Sequence, residues 1–221
     1  MIQVRDVRVR VLEDNDKIAQ ELRKDLRTKK VFLVNLMASP GAGKTTTLER
    51  MIEALKGEFH IGVMEADTDS VVDAERIEKT GVKTIQLHTG GSCHMDASMT
   101  KEGLAELGTD DLDLVFLENV GNLVCPAEFD VGQAMRLMIL SVPEGDDKPL
   151  KYPLMFQVSD CLLLNKTDAM SVFDFDIDLF KERVHTLNAG MKIYPVSALN
   201  GDGFDRWIED FRKVVRDYLS Q

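Results

Sequence analysis

With 221 residues, 44% of them hydrophobic, the chain is long enough for one α/β domain with a sizeable core and need not be divided in two. A formal charge of −11, from 38 acidic against 27 basic side chains, argues against a nucleic-acid-binding surface and fits a cytoplasmic protein that handles cations. There is no membrane span of about 18 apolar residues and no secretory apolar stretch from Met1 to Arg10, and three cysteines are too few for a disulfide framework.

Between Glu13 and Lys30, Ile18, Ala19, Leu22 and Leu26 recur at helical spacing among charges, which predicts a solvent-facing amphipathic helix. Residues 1–30 read as a helical extension and residues 31–221 as the main domain. Val31 to Met37 is a largely apolar run, expected of a strand buried on both faces of a parallel sheet. It leads into A-S-P-G-A-G-K-T-T-T, a strand-loop-helix phosphate site. Backbone N–H groups around Gly41, Ala42 and Gly43 are placed to cradle phosphate oxygens, and the following helix start adds unpaired donors and a favourable dipole. Lys44 is assigned to the β- and γ-phosphates, the Thr45 hydroxyl to magnesium, and Thr46 joins the nucleotide contacts. One departure stands out: Ala38 occupies the place where the usual pattern opens with glycine.

The helix after this loop is expected over residues 44–56, ended by Gly57. Further strands are predicted over His60 to Glu65, Val82 to His88, Leu112 to Glu118, Met135 to Val142, Cys161 to Leu164 and Met191 to Val196, with E-G-D-D-K-P-L-K-Y-P as a polar loop. The last helix, Phe204 to Leu219, presents Phe204, Trp207, Ile208, Phe211, Val214 and Val215 on one side. Seven strands alternating with helical stretches predict a single domain with a mostly parallel sheet covered on both faces, its ligands gathered at the carboxyl ends of the strands.

Asn165, Lys166 and Asp168 stand as N-K-T-D directly after the sixth strand. The aspartate carboxylate offers two acceptors side by side, matching the ring N–H and exocyclic amine of guanine, and adenine has no such donor pair. Lys166 can lay its stem on the base, Asn165 can brace the loop, and Ser197 and Ala198 open S-A-L after the next strand. With the phosphate loop, these motifs predict GTP rather than ATP. Asp67 and Glu118, each ending a strand, are the carboxylates placed for magnesium or the attacking water. Gly121 is a candidate for backbone approach to the γ-phosphate, and Asp73 reads equally as a helix cap. No glutamine or arginine announces itself as a dedicated catalyst, so hydrolysis is expected to be slow in isolation.

Cys93 and His94 are adjacent in one loop and Cys125 lies in another. Thiolate and imidazole suit nickel or zinc, whereas magnesium prefers oxygen. Taken alone, the same residues also read as a small buried hydrophobe and a satisfied loop histidine.

A-S-P-G-A-G-K-T, D-A-E-R-I, G-G-S-C-H-M-D, E-N-V-G-N-L-V-C-P-A-E-F-D, E-G-D-D-K-P-L-K-Y-P and N-K-T-D together closely resemble the HypB family of hydrogenase nickel-incorporation GTPases. The resemblance runs from Val31 to the last helix. It implies a P-loop GTPase of the SIMIBI class, related to signal-recognition-particle GTPases and MinD. Such a protein dimerises and delivers nickel to the large subunit of [NiFe]-hydrogenase with a small zinc-containing partner of the HypA type. It also implies metal ligation by Cys93, His94 and Cys125, and phosphate and magnesium positions at Lys44, Thr45, Asp67 and Glu118. The N-terminal cysteine cluster or histidine-rich stretch of some family members is absent from this sequence, so transfer rather than storage of nickel is expected. Two rivals share part of the pattern: an accessory GTPase of the urease or cobalamin-mutase type, and a zinc-dependent dimeric module without meaningful turnover.

Overall fold

The computed structural model describes residues 7–67 and 72–221. Helix α1 (Val7–Lys29) precedes strand β1 (Phe32–Ala38), and α2 (Lys44–Leu55) follows the phosphate loop. The chain continues through β2 (Ile61–Asp67), α3 (Val72–Glu78), β3 (Lys83–His88), α4 (Ala97–Leu107), β4 (Leu114–Glu118) and the single turn α5 (Cys125–Glu128). Then come β5 (Met135–Ser141), α6 (Lys148–Lys151), α7 (Pro153–Val158), β6 (Cys161–Asn165), α8 (Ile177–Leu187), β7 (Lys192–Pro195) and α9 (Phe204–Leu219).

Among the described residues the seven strands form one sheet in the order β3-β2-β4-β1-β5-β6-β7. Every pairing is parallel. In β1, Phe32, Val34, Leu36 and Ala38 face a layer containing α2 and α9. The alternate residues Leu33 and Met37 belong to the clusters on the other face, with α1 and α4 against one and α7 and α8 against the other. This two-sided cover explains why the strand sequences are continuous apolar runs.

β1 leads to β2 on one side of itself, whereas β4, its neighbour on that same side, leads across to β5. Loops departing in opposite directions leave a crevice at the carboxyl ends of β1 and β4, the switch point where open α/β sheets bind ligands. The register sets Leu36 opposite Glu118 and Glu65 opposite Glu118, so these strand ends meet at one rim.

Three expectations need correction. Helix α1 begins at Val7 rather than Glu13. The segment 144–153, expected as a polar loop, holds helix α6, with a 3₁₀ turn (Val142–Glu144) ending at its first residue and α7 starting at its last. Pro143, Pro149 and Pro153 open these three turns, where a preset φ and a missing N–H cost nothing. On α9, Phe204, Trp207, Ile208, Phe211 and Val215 are buried but Val214 is 39% exposed, because the helical period puts it at the margin of the stripe. Asp73 falls in α3, but its side chain lies outside the described residues.

Phe211 is fully buried, packing on Phe32 edge-on and on Phe116 and Trp207. Phe211→Ala is expected to lower the unfolding free energy by about 3–5 kcal/mol in a urea titration. A loss under about 1 kcal/mol would mean that α9 contributes little to the core.

Candidate functional site

The phosphate loop is shaped by two glycines with left-handed backbone, Gly41 at φ +75° and Gly43 at φ +96°. Gly43 has a second constraint, since a Cβ there would come within 2.5 Å of Asn165 Nδ2. Asn165, fully buried at the end of β6, donates to the Ala42 carbonyl at 3.0 Å and accepts from the Ala198 N–H at 2.9 Å. One amide therefore joins the phosphate loop, the N-K-T-D loop and the S-A-L loop.

Lys166 adds a bond from Nζ to the Gly41 carbonyl at 2.7 Å. Ser197, fully buried, donates through its hydroxyl to Asp168 Oδ1, holding the carboxylate expected from the sequence to read guanine. Arg50 on α2, which the sequence did not single out, donates from Nε to the Ala198 carbonyl and from its terminal nitrogen to the Leu199 carbonyl at 2.7 Å. Its guanidinium also lies over the Phe204 ring. The S-A-L loop is thus latched to the helix that follows the phosphate loop.

Thr45 Oγ1 donates to Glu118 Oε1 at 3.0 Å, bringing together a hydroxyl and a carboxylate of the kind that holds magnesium. Both residues are buried. Asp67 ends β2 level with His88 on β3, and Lys44 opens α2 half-buried. The Thr46 hydroxyl is engaged by Arg76 of α3 at 3.3 Å. Gly121 lies against Pro40 of the phosphate loop, where a Cβ would meet its backbone nitrogen at 3.1 Å.

On the same rim Cys93, His94 and Cys125 come together, with one donor atom from each lying within 4.8 Å of the others. The two sulfurs are 2.7 Å apart, and His94 Nδ1 is 3.8 Å from Cys93 Sγ. The His94 ring stacks on Phe129 with centroids 3.9 Å apart, which fixes its plane. Burial pushes the His94 pKa below its ordinary value against the pull of Asp96 and Glu128, favouring the neutral imidazole that binds metals. Burial raises the Cys125 pKa, as do the hydrogen bond and charge of Cys93; a bound cation would reverse that by stabilising the thiolates. Two sulfurs and one nitrogen fit a borderline-soft divalent ion, and with three donors they leave coordination positions open.

The two centres are joined by the loop after β4. The Asn122 N–H donates to the Ala38 carbonyl at 2.8 Å. Its Oδ1 accepts from the Cys125 N–H at 3.2 Å, and its Nδ2 lies 3.5 Å from the Cys93 carbonyl. Asn119 accepts from the Met95 N–H at 3.1 Å and donates to Asn35 on β1 at 3.0 Å. Both asparagines lie in the E-N-V-G-N-L-V-C-P stretch, but no role was assigned to them from sequence.

Residues 32–195 match the family model described as "CobW/HypB/UreG, nucleotide-binding domain". The chain is 46% identical over 200 residues to the hydrogenase maturation factor HypB of Azotobacter vinelandii, covering 90% of itself and 65% of that relative. It is 41% identical over 216 residues to the hydrogenase/urease maturation factor HypB of Helicobacter hepaticus, covering 96% of itself and 85% of that protein. Among solved structures, HypB from Helicobacter pylori in complex with nickel superposes with a TM-score of 0.86 at 36% identity, covering 92% of this chain and 96% of the other.

Gly43→Ala, combining a disfavoured φ with an overlap on Asn165, is expected to weaken guanine nucleotide binding at least roughly tenfold by calorimetry, because each 1.4 kcal/mol of strain is one decade. Parent-like affinity would show that the loop relaxes freely.

Proposed function

The chain belongs to the CobW/HypB/UreG family of nucleotide-binding domains, and on that footing we propose that it is a GTP-hydrolysing metallochaperone that delivers nickel during maturation of [NiFe]-hydrogenase. The observation that carries this reading is the Asn122 bridge, which ties the Cys93 and Cys125 segments to the start of the phosphate loop. Nickel is the cargo, held by Cys93, His94 and Cys125, and zinc fits the same donors. The names of the Azotobacter and Helicobacter relatives and the nickel-bound Helicobacter pylori structure support the assignment. The word urease in the name of the Helicobacter hepaticus relative supports a second reading, service to urease by the same site.

In the proposed reaction, backbone N–H groups of Gly41, Ala42 and Gly43 and the Lys44 ammonium hold the GTP phosphates in line for attack by water. Thr45, Glu118 and Asp67 supply the oxygen donors for magnesium, which when bound neutralises charge developing on the phosphates. Asn165, Lys166 and Asp168, with Ser197 and Ala198, select guanine. Glu118 is the last residue of β4 and the Asn122 bridge begins just beyond it, so loss of the γ-phosphate loosens the loop that carries Cys125. Hydrolysis is slow in the isolated chain. Two copies facing one another as a homodimer complete the metal coordination, and a HypA-type zinc-containing chaperone and the hydrogenase large subunit are the partners. The protein works in the cytoplasm, with residues 1–30 as an extension of a G domain spanning 31–221; no described helix is long and apolar enough to cross a membrane.

Calorimetric nickel titrations in GDP and in a non-hydrolysable GTP analogue are expected to differ by about fivefold or more, the ordinary range of coupling between sites. Equal affinities would remove the switch, and Lys44→Ala is expected to abolish both hydrolysis and the difference. For base selection, Asp168→Asn is expected to cost at least roughly a hundredfold in GTP affinity while improving xanthosine triphosphate binding, since it replaces a paired acceptor with a donor. Undiminished GTP affinity would exclude the N-K-T-D loop as the base reader.

A further inference from the structure

Asn15 lies on the buried stripe of α1, 7% exposed, and both ends of its amide are used. Oδ1 accepts from the Ala97 N–H at 2.9 Å, where the Cys93–His94 loop enters α4. Nδ2 donates to the Asp130 carbonyl at 2.9 Å, just past the turn that Cys125 opens. One side chain therefore spans the two segments that carry the metal donors.

Two turns along α1, Arg23 grips the same Asp130, with its terminal nitrogen 2.6 and 2.7 Å from the two carboxylate oxygens. Its Nε donates to the Gln133 carbonyl at 3.0 Å. On the phosphate-loop side the same two segments are held by Asn119, through Met95, and by Asn122. The donor loops are thus suspended between two sets of tethers, one belonging to the nucleotide site and one to the N-terminal helix.

We propose that Asn15 is a positioning residue for the metal-donor cluster, setting the spacing of the Cys93–His94 and Cys125 segments from the α1 side. The proposal rests on the reading of that cluster as a metal site. Donors held at their working distance bind a cation without paying to order two loops, so releasing one tether lowers affinity without removing a ligand. It also makes α1 a handle on the metal that does not pass through the nucleotide.

The test uses the full chain and nickel(II) alone, followed by thiolate-to-nickel charge-transfer absorption, with GDP affinity and thermal unfolding measured on the same samples. Asn15→Ala is expected to weaken nickel binding by roughly tenfold or more, the usual effect of an outer-shell partner, with GDP affinity held within about twofold. Because this variant leaves a buried N–H and a partly buried carbonyl unpaired and lowers stability, Arg23→Ala is the companion. It releases the Asp130 carboxylate and the Gln133 carbonyl while leaving both Asn15 bonds in place, and is expected to weaken nickel by a smaller factor. Asn15→Asp, which keeps the acceptor for Ala97 and loses the donor to Asp130, is expected to fall between parent and Asn15→Ala. Unchanged nickel affinity in Asn15→Ala and Arg23→Ala overturns the proposal, as does a parallel loss of nickel and GDP binding, which marks a merely structural role. A parent protein with no thiolate-to-nickel absorption overturns the metal reading itself, a result distinct from a parent that binds nickel beside variants that bind it equally well.

Discussion

A single backbone hydrogen bond, from the Asn122 N–H to the Ala38 carbonyl, ties the loop after β4 to the residue where β1 gives way to the phosphate loop. Its geometry follows from the sheet. β1 and β4 run parallel with Leu36 level with Glu118, so the two chains leave the sheet side by side before diverging. The crevice between them is where triphosphate chemistry belongs, and a loop stitched to its wall cannot move independently of it. Gly121 tightens the fit, because it allows the β4 loop to press on Pro40 where a side chain would hold it away.

Asparagine recurs at the connections. Asn35 and Asn119 meet in the core, Asn119 reaches Met95, Asn122 reaches both cysteine segments, Asn165 joins three loops, and Asn15 joins two. The choice has a physical basis. A short neutral amide presents a donor and an acceptor on one rigid plane, so it can bridge two backbone groups inside the protein without the desolvation cost of a charge. Each bond contributes modestly, but leaving its buried partner unpaired costs about 1–3 kcal/mol. A network of this kind holds the loops in one arrangement more firmly than apolar packing would, and it fails sharply when one member is lost.

The sheet was legible because its strands are buried on both faces, and the predicted runs from Val31 and Met135 differ from β1 and β5 by one residue at most at either end. Helix α1 was harder to bound. Val7, Val9 and Val11 alternate with Arg8 and Arg10, a period-two pattern that reads as strand and conceals the first turns of the helix. Asn15 left a usable signal, since it falls on the Ala19, Leu22 and Leu26 stripe where the period calls for an apolar residue. Arg50 left none: an arginine on an otherwise ordinary helix says nothing about a loop nearly 150 residues away. Single-residue tethers across long separations depend on the finished packing, whereas phosphate and base motifs depend on local backbone shape and so survive as strings.

The position of the sulfur cluster also bears on what it can do. Cys93 is exposed and Cys125 only half-buried, so the donors stand at the rim rather than in the core. A storage or structural site closes four ligands around its ion and hides it; three donors at an edge leave the ion open to exchange. Such a site gains selectivity from the softness of its sulfurs and gains control from whatever holds its loops apart or together. Here the loops have two sets of tethers, Asn119 and Asn122 from the phosphate-loop rim and Asn15 and Arg23 from α1, and these are the two inputs that the proposed control uses. By linkage, an ion that prefers the gathered arrangement must strengthen both sets of tethers as much as they strengthen its binding. On the proposed reading, metal, nucleotide and helix act on one shared equilibrium, so that a small change at any of the three is felt at the other two.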